Sequence, residues 1–323
     1  MQTISMATET FSVIVPNWNG SKYLRACLDS VRAQTQQPLE LLLVDSASAD
    51  DSLELVRGNY PEVRIVPLSQ NRGFTGAVNA GRARAQGTFV ALLNQDAEAS
   101  PDWVQEMTRV AQAHPEAGAI ACKILLAERR DHFHSAGDQY GVDGIGVNRG
   151  VWQRDEGQFD REEDVFGACG GAAAYRRSAL TQVGGLDEAF FMYYEDVDVA
   201  WRLQIAGWRT VYAPRAVVFH QLTSGGGTTA SYYGGRNTLY VLAKDVPWPV
   251  LRKHWARMWA AQCRIARDAL RAWRGTAARA RLRGQLVGLL TWPRMLSKRR
   301  AVRRSRAVSV AYLESLLVTT DAA

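Results

Sequence analysis

Four continuous apolar runs, each ending in polar or small residues, constrain the first hundred positions more than any other feature. FSVIVPNWNG (11–20) reads as a buried strand closed by Pro16 and a turn at Asn19-Gly20. Tyr23, Leu24, Cys27, Leu28 and Val31 then recur at helical intervals within 21–35. LELLLVDSASAD (39–50), RIVPLS (64–69) and TFVALLNQD (88–96) are the next runs, separated by helical stretches at 51–58 and 75–85. Runs that are apolar at every residue belong to strands covered on both faces. Their alternation with helices predicts a parallel sheet of an α/β fold. With 323 residues, 47% of them hydrophobic, the chain is long enough for one large α/β domain and an appendage.

The polar residues of these runs share one edge. Asn17, Asp45 and Asp96 each sit just past the C-terminal end of a predicted strand, where open α/β sheets bind ligands. Asp and Asn also open loops and cap helices, so any one of them is ambiguous. Three in succession on one edge are harder to dismiss.

Residues 129–165 are rich in Gly and Asp with weak periodicity and read as an insertion running over the sheet edge. Its GVDGIGVNRG piece neither follows the first strand nor opens a helix, so it is no dinucleotide fingerprint. No GxxxxGK[ST] phosphate loop is present. His132 and His134 on this polar stretch read as solvated side chains. Small residues at 167–174 allow close backbone approach. EDVDVAWRLQIAG predicts a helix that opens with Glu195, Asp196 and Asp198 and stops at Gly207. Such acids complement a helix dipole. Behind the aromatic run Phe190, Phe191, Tyr193 and Tyr194 they also have the setting of a cleft wall, where desolvation tunes a carboxylate to act as a base. His220 ends the strand AVVFH ahead of SGGGTT, a position open to a structural or a ligand role. The four cysteines (Cys27, Cys122, Cys169, Cys263) form no CxxC pair and read as reduced, buried thiols.

Charge divides the chain in two. Residues 1–243 carry 21 Lys and Arg against 28 Asp and Glu, whereas residues 244–306 carry 18 against 2. An acidic body with a basic extension implies chemistry in the first and anion or membrane contact in the second. No apolar run reaches the ~18 residues of a spanning helix. Residues 1–10 are polar, with Met6 an alternative start, and lack signal-peptide order, so a cytoplasmic protein is expected.

Taken together, these pieces resemble the family 2 inverting glycosyltransferases of the GT-A fold, particularly the bacterial rhamnosyltransferase-like branch. The matching segments are VIVPNWNG (13–20), VDSASAD (44–50), NRGFTGAVNAG (71–81), LLNQDAE (92–98), GACGGAAAYRR (167–177), GGLDEAFFMYYEDVDVAWRLQIAGW (184–208), His220 and Arg236-Asn237. The resemblance implies a Rossmann-like, mixed but mostly parallel nucleotide-sugar-binding sheet over 11–240, with a basic helical extension over 241–323. It implies a nucleotide-diphosphate sugar donor (dTDP- or UDP-linked) contacted by Pro16, Asn17, Asn19, Asp45, Asn71, Arg72, Gly73, Asn79, Asn94 and Gln95. The family's DxD-like metal motif stands here as Asn94-Gln95-Asp96. With Asn94 neutral, Asp96 becomes the main carboxylate ligand of Mn2+ or Mg2+ and His220 a second ligand. Asp45 matches the family's nucleobase-reading carboxylate. Asp196 matches the base that deprotonates the acceptor hydroxyl, with Glu195 as the runner-up.

In the extension, Leu239, Leu242, Trp248, Leu251, Trp255, Met258, Trp259, Ile265, Leu270 and Trp273 recur at mostly three- and four-residue spacing between Arg and Lys, which predicts helix over 237–273 with a break at Gly275. QLVGLLTWPRML (285–296) then leads into SKRRAVRRSR (297–306). A basic amphipathic helix bearing Trp suits the interface of an anionic membrane. Packing on the catalytic domain, or a homodimer contact, is the alternative use. The acceptor expected for a membrane-surface enzyme is a glycan or lipid-diphosphate-linked sugar, and the body carries no nucleic-acid recognition motif. The residues leave two other functions open. One is a sugar nucleotidyltransferase, which would need a basic Gly-rich loop where PNWNGSKY has one Gly and one Lys. The other is a non-catalytic membrane- or nucleic-acid-binding protein acting through its tail.

Overall fold

Val13 and Val15 face one side of the first strand and Ile14 the other, and all three are fully buried. Double-sided burial of this kind organises the computed structural model, which describes residues 9–223 and 227–319. The polar start with Met6 (residues 1–8) and residues 224–226 of SGGGTT lie outside the described residues.

The chain begins with β1 (Phe11–Asn17), α1 (Ser21–Arg32), β2 (Glu40–Asp45), α2 (Ser52–Asn59), β3 (Arg64–Pro67), α3 (Gly73–Arg82) and β4 (Phe89–Leu93). These four strands lie in the order β3-β2-β1-β4, every pair parallel, as the apolar runs predict. In register, Asn17 pairs with Asp45, so two of the strand-end polar residues stand side by side.

The second half makes the sheet mixed. It contains β5 (Ala97–Ala99), α4 (Trp103–Ala113), β6 (Ala117–Leu126), β7 (Phe133–Ser135), β8 (Asp138–Gly141), β9 (Gly146–Asn148), β10 (Glu163–Val165), β11 (Ala172–Arg176), α5 (Arg177–Val183), α6 (Glu195–Ile205) and β12 (Arg209–His220). β11 inserts antiparallel between β4 and β6, and β12 runs parallel to β6. The main sheet thus reads β10-β12-β6-β11-β4-β1-β2-β3. The 129–165 segment is more ordered than its periodicity suggests. β7 and β10 join the main sheet, and β8 and β9 pair in a small second one. Three-residue strands are too short to impose an alternating pattern on sequence.

One face of the sheet packs on α1 and α4 through Leu24, Leu28, Trp103 and Met107. The other packs on α3, α5 and α6 through Val78, Leu180 and Leu203.

The extension folds as α7 (Gly227–Lys244), α8 (Trp248–Arg271), α9 (Thr276–Leu290), α10 (Trp292–Arg304), α11 (Val310–Ser315) and β13 (Leu317–Val318). The helix predicted over 237–273 is therefore two helices. Pro247 cannot continue the ladder and caps α8 instead. The expected boundary at 240/241 falls inside α7. Extension and body share a third core, in which Tyr140, Phe166 and Trp201 meet Leu239, Val250, Met295 and Leu313.

Buried ions reinforce that joint. Asp198 pairs with Arg202 and Lys244, Lys244 reaches Asp187 at 2.8 Å, and Lys298 reaches Asp187 at 2.6 Å. Arg299 donates to the carbonyls of Leu242, Ala243 and Val246 at the C-terminal end of α7, at 2.5–2.6 Å, satisfying acceptors that a helix end leaves free. The third acid of the EDVD run is thus spent on architecture. Removing one partner from such a buried pair typically costs about 3–5 kcal/mol. Cys27, Cys122 and Cys169 are buried as expected, whereas Cys263 is exposed, because α8 turns that face outward.

Candidate active site

The C-terminal ends of β1, β2 and β4 open into a cavity of about 870 Å³. Its floor is Pro16, Asn17, Trp18, Ser46 and the Asn94-Gln95-Asp96 run. Asn71, Gly73 and Phe74 at the start of α3 form one side, and Phe191–Tyr193 and faces of α7 and α9 form the roof.

On the floor, the side-chain amide of Asn17 donates to Asp45 Oδ1 at 2.7 Å, and Ser48 donates to both Asp45 oxygens at 2.6 and 3.0 Å. A carboxylate can only accept here, so the Asn17 amide nitrogen must face it. Asn17 Oδ1 is left buried, without a hydrogen-bond partner among the described residues. Gln95 clamps the Trp18 backbone, its Oε1 accepting from Trp18 N at 2.9 Å. Asn19, at positive φ, holds the 48–49 loop by accepting from Ala49 N at 2.8 Å.

The DxD-like segment meets His220 at the end of β12. Asp96 Oδ1 lies 3.1 Å from His220 Nε2, and Asp96 Oδ2 accepts from the backbone and hydroxyl of Thr223 at 3.0 and 2.5 Å. Burial pushes the Asp96 carboxyl upward, but the hydrogen bond and charge of His220 and the Thr223 donors outweigh it. The carboxyl is held well below the usual range. Asn94 Nδ2 lies 3.3 Å from His220 Nε2. His134, expected in solvent, stands behind this pair instead. Its Nδ1 is 3.2 Å from His220 Nδ1 and its Nε2 is 3.2 Å from the Asn148 amide. Strand β7 carries it inward beside β6. Burial, and then the neighbouring His220, lower His134 to about 3, so it is a neutral imidazole.

No group of three or more His, Cys, Asp or Glu side chains gathers as a metal cage among the described residues. The Asp96–His220 pair nevertheless suits an ion with open positions. Atoms 3.1 Å apart have the spacing of adjacent ligands on an octahedral centre with bonds of about 2.1 Å.

Glu195 and Asp196 open α6 behind the Phe191–Tyr193 wall. Asp196 is partly exposed and accepts from Gly170 N at 3.0 Å and Val197 N at 2.8 Å. Glu195 is buried, and its Oε2 has no partner among the described residues. Glu195 Oε1 and the cavity-lining Phe74 border the same space at Gly170. Burial raises both carboxyls, and Asp196 raises Glu195 further. Asp138, buried on β8 and missed by sequence reasoning, is raised by burial and by Asp196. Three carboxyls thus share one corner, Glu195 and Asp138 buried and Asp196 partly exposed.

The wall in front of them is strained. Phe191, Tyr193 and Tyr194 have φ of 67°, 63° and 66°, values that bulky side chains rarely adopt and that the surroundings must enforce. Asn237 enforces them. Its amide donates to the carbonyls of Phe190, Met192 and Tyr193 at 3.0, 2.9 and 2.6 Å, while Arg236 holds Ala189 and Phe190 at 2.8 Å. The Arg236-Asn237 match at the sequence level therefore has a mechanical basis.

Three expected contacts stand elsewhere. Arg72 forks onto Glu188 at 2.7 Å, and Asn79 latches α3 to Leu186 at 2.8 and 3.1 Å. Asn19 organises its turn. None of the three lines the cavity, and neither does Asp45, which is 1% exposed behind its hydrogen bond from Asn17. Gly73, by contrast, does, with φ of 68° and no room for a Cβ beside Phe191 O.

Comparison with known proteins agrees with this architecture. A family model described as glycosyl transferase family 2 matches residues 12–184. The N-acetylglucosaminyl-diphospho-decaprenol L-rhamnosyltransferase of Mycobacterium tuberculosis is 30% identical over 261 residues, covering 74% of this chain and 85% of that protein. Among solved structures, a Pyrobaculum calidifontis mannosyltransferase in complex with GDP-Man and Mn2+ superposes with a TM-score of 0.52 at 18% identity, covering 96% of this chain and 79% of that one. S. aureus TarS 1–349 in complex with UDP gives 0.56 at 15% identity, covering 92% and 90%.

Proposed function

The chain belongs to glycosyltransferase family 2, and on that premise we propose an inverting, metal-dependent enzyme that transfers a sugar from a nucleotide-diphosphate donor to a lipid-diphosphate-linked glycan of the cell surface. The named activity of the M. tuberculosis relative supports L-rhamnose as the sugar, and dTDP is the carrier that the rhamnosyltransferase-like resemblance implies for it. Family membership leaves the nucleotidyltransferase and the purely tail-driven readings without support. The observation that carries the proposal is one cavity with Asp96, paired to His220, on its floor and the Glu195-Asp196 start of α6 behind its wall.

In this reading Asp45 and Asn17 form the base-reading corner, with the free Oδ1 of Asn17 as an acceptor for a pyrimidine N–H. Pro16, Ser46 and Gln95 shape that corner, while Asn71 and Gly73 let the sugar approach the start of α3. Asp96 and His220 would hold Mn2+ or Mg2+, a choice supported by the Mn2+ of the mannosyltransferase structure. When bound, such an ion neutralises the charge that develops on a departing diphosphate. Asp196 takes the proton of the acceptor hydroxyl as that oxygen bonds to the anomeric carbon and the bond to the nucleotide diphosphate breaks. Its raised pKa suits a base working near neutral pH. Attack opposite the leaving group inverts the anomeric centre.

No helix among the described residues is long and apolar enough to cross a membrane. Trp255 (63% exposed), Trp259 (58%) and Trp273 (59%) stand out from the extension among Arg257, Arg264, Arg267 and Arg274. Exposed Trp between cations suits an anionic bilayer surface, where the acceptor resides.

Proton NMR of the product tests the stereochemistry. The glycosidic carbon should carry the configuration opposite to the donor's, and a retained configuration would overturn the mechanism.

A further inference from the structure

Resting on the glycosyl-transfer reading above, we propose that helix α9 is the acceptor-binding element, its Arg279–Arg283 pair taking the acceptor's diphosphate and its Leu286–Leu290 stripe the first part of the hydrocarbon chain. Thr276, Arg279, Ala280 and Arg283 line the cavity, and their spacing of three and four residues puts them on one face of the helix. The same stripe continues through Leu286 and Leu290, respectively 57% and 71% exposed. From Arg283 to Leu290 the helix rises about 10 Å. One helical face thus passes from cationic inside the cavity to apolar outside it, the order of groups in a lipid diphosphate read from its head.

The charges of the cavity favour a second anion. Among the described residues, Asp96 is its only lining carboxylate, and Arg279 and Arg283 are its only lining cations. On the proposed reading, a divalent cation held by Asp96 and His220 would take the donor's diphosphate at the floor, whereas the arginines stand on the helical roof. Neither arginine makes an ion pair among the described residues. Arg279 is steadied by donating one Nη to the carbonyls of Trp273 and Arg274 at 3.1 and 2.7 Å, which leaves its other donors free. Arg283 stands by the Tyr232 ring, 6.0 Å from its centroid.

α9 is fixed in place by close packing. A Cβ at Gly284 would lie 2.1 Å from Tyr232 O, and one at Gly235 would lie 2.6 Å from Arg281 O. Helices that touch through glycine backbones hold their outward faces in register. The rigid contact explains how two arginines on a late helix can serve a site built by early strands.

The test uses farnesyl diphosphate as the probe, with the floor saturated by dTDP, UDP and Mn2+. Calorimetry should show farnesyl diphosphate binding to the full-length protein. Arg279→Ala/Arg283→Ala should weaken it at least tenfold while leaving dTDP and UDP affinity within twofold. Leu286→Ser/Leu290→Ser should weaken farnesyl diphosphate but not inorganic diphosphate. Loss of nucleotide affinity in the arginine variant would assign those residues to the donor and overturn the proposal. Unchanged farnesyl diphosphate binding in both variants would do the same. So would an equal loss of binding to vesicles of anionic phospholipid lacking any diphosphate lipid, which would make the stripe a bilayer contact. A protein that releases nucleotide from its donor yet never binds farnesyl diphosphate refutes this inference alone. Farnesyl diphosphate binding without any sugar transfer refutes the transferase reading alone.

Discussion

Nε2 of His220 lies 3.1 Å from Oδ1 of Asp96, although the two residues are 124 positions apart. Strand β12 delivers the imidazole to the loop that follows β4, so a carboxylate and an imidazole nitrogen meet at the cavity floor. Asp96→Ala should lower Mn2+ affinity about 100-fold, and His220→Ala at least tenfold, both read by calorimetry or by the electron paramagnetic resonance of free Mn2+. Equal Mn2+ binding in all three proteins would remove this pair as the metal site.

Asp196 is the proposed base. Asp196→Asn should cut kcat about 10³-fold while nucleotide affinity stays within twofold. Because burial raises this carboxyl, the wild-type rate should fall as pH drops through a value above the ordinary carboxylate range. An acid limb at or below pH 4, or full activity in the variant, would point to another base. Glu195→Gln serves as the comparison, since neighbouring acids titrate as a unit.

Glu195 also makes a stability prediction. Its folded pKa is raised, chiefly by burial and then by Asp196. The folded state therefore holds its proton more tightly than the unfolded chain does. The stability tied to that proton is complete below the unfolded pKa and is lost as pH rises through the folded one. Glu195→Gln should raise Tm at pH 8 and leave it unchanged at pH 4. A drop at pH 8 would mean that the carboxylate is compensated by a partner.

Asn237 makes a prediction about mechanics. Asn237→Ala frees three carbonyls of the strained 190–193 wall. It should cost about 1–3 kcal/mol of stability and lower kcat, with Mn2+ affinity unchanged. Unaltered kcat in a destabilised protein would make the clamp purely structural.

Much of this site was legible in the sequence, for reasons tied to particular elements. The strand ends at Asn17, Asp45 and Asp96 stand out because doubly covered strands are apolar throughout, so the first polar residue marks the sheet edge. The EDVD run stands out because acids cluster at a helix start, although only the fold separates Asp198, held by Arg202 and Lys244, from Glu195 and Asp196. Asp138 and His134 were illegible, because β7 and β8 are three and four residues long and carry no periodic signal. Arg72 and Asn79 match the family motif, yet neither lines the cavity. A motif fixes which residues are present, whereas Glu188 and Leu186, more than a hundred residues on, decide where these two point. The cavity-facing stripe of α9 was hidden for a related reason. Its arginines resemble every other arginine of a basic tail until α7 places them over the strand ends.

The decisive assay is nucleotide release from dTDP-, UDP- and GDP-sugars in the presence of Mn2+ and a lipid-diphosphate glycan acceptor. The expected result is release from a single donor, dTDP-rhamnose, that needs the acceptor and the metal and disappears in both Asp96→Ala and Asp196→Asn. Release that persists in either folded variant, or silence of the wild-type protein across every donor, would contradict it.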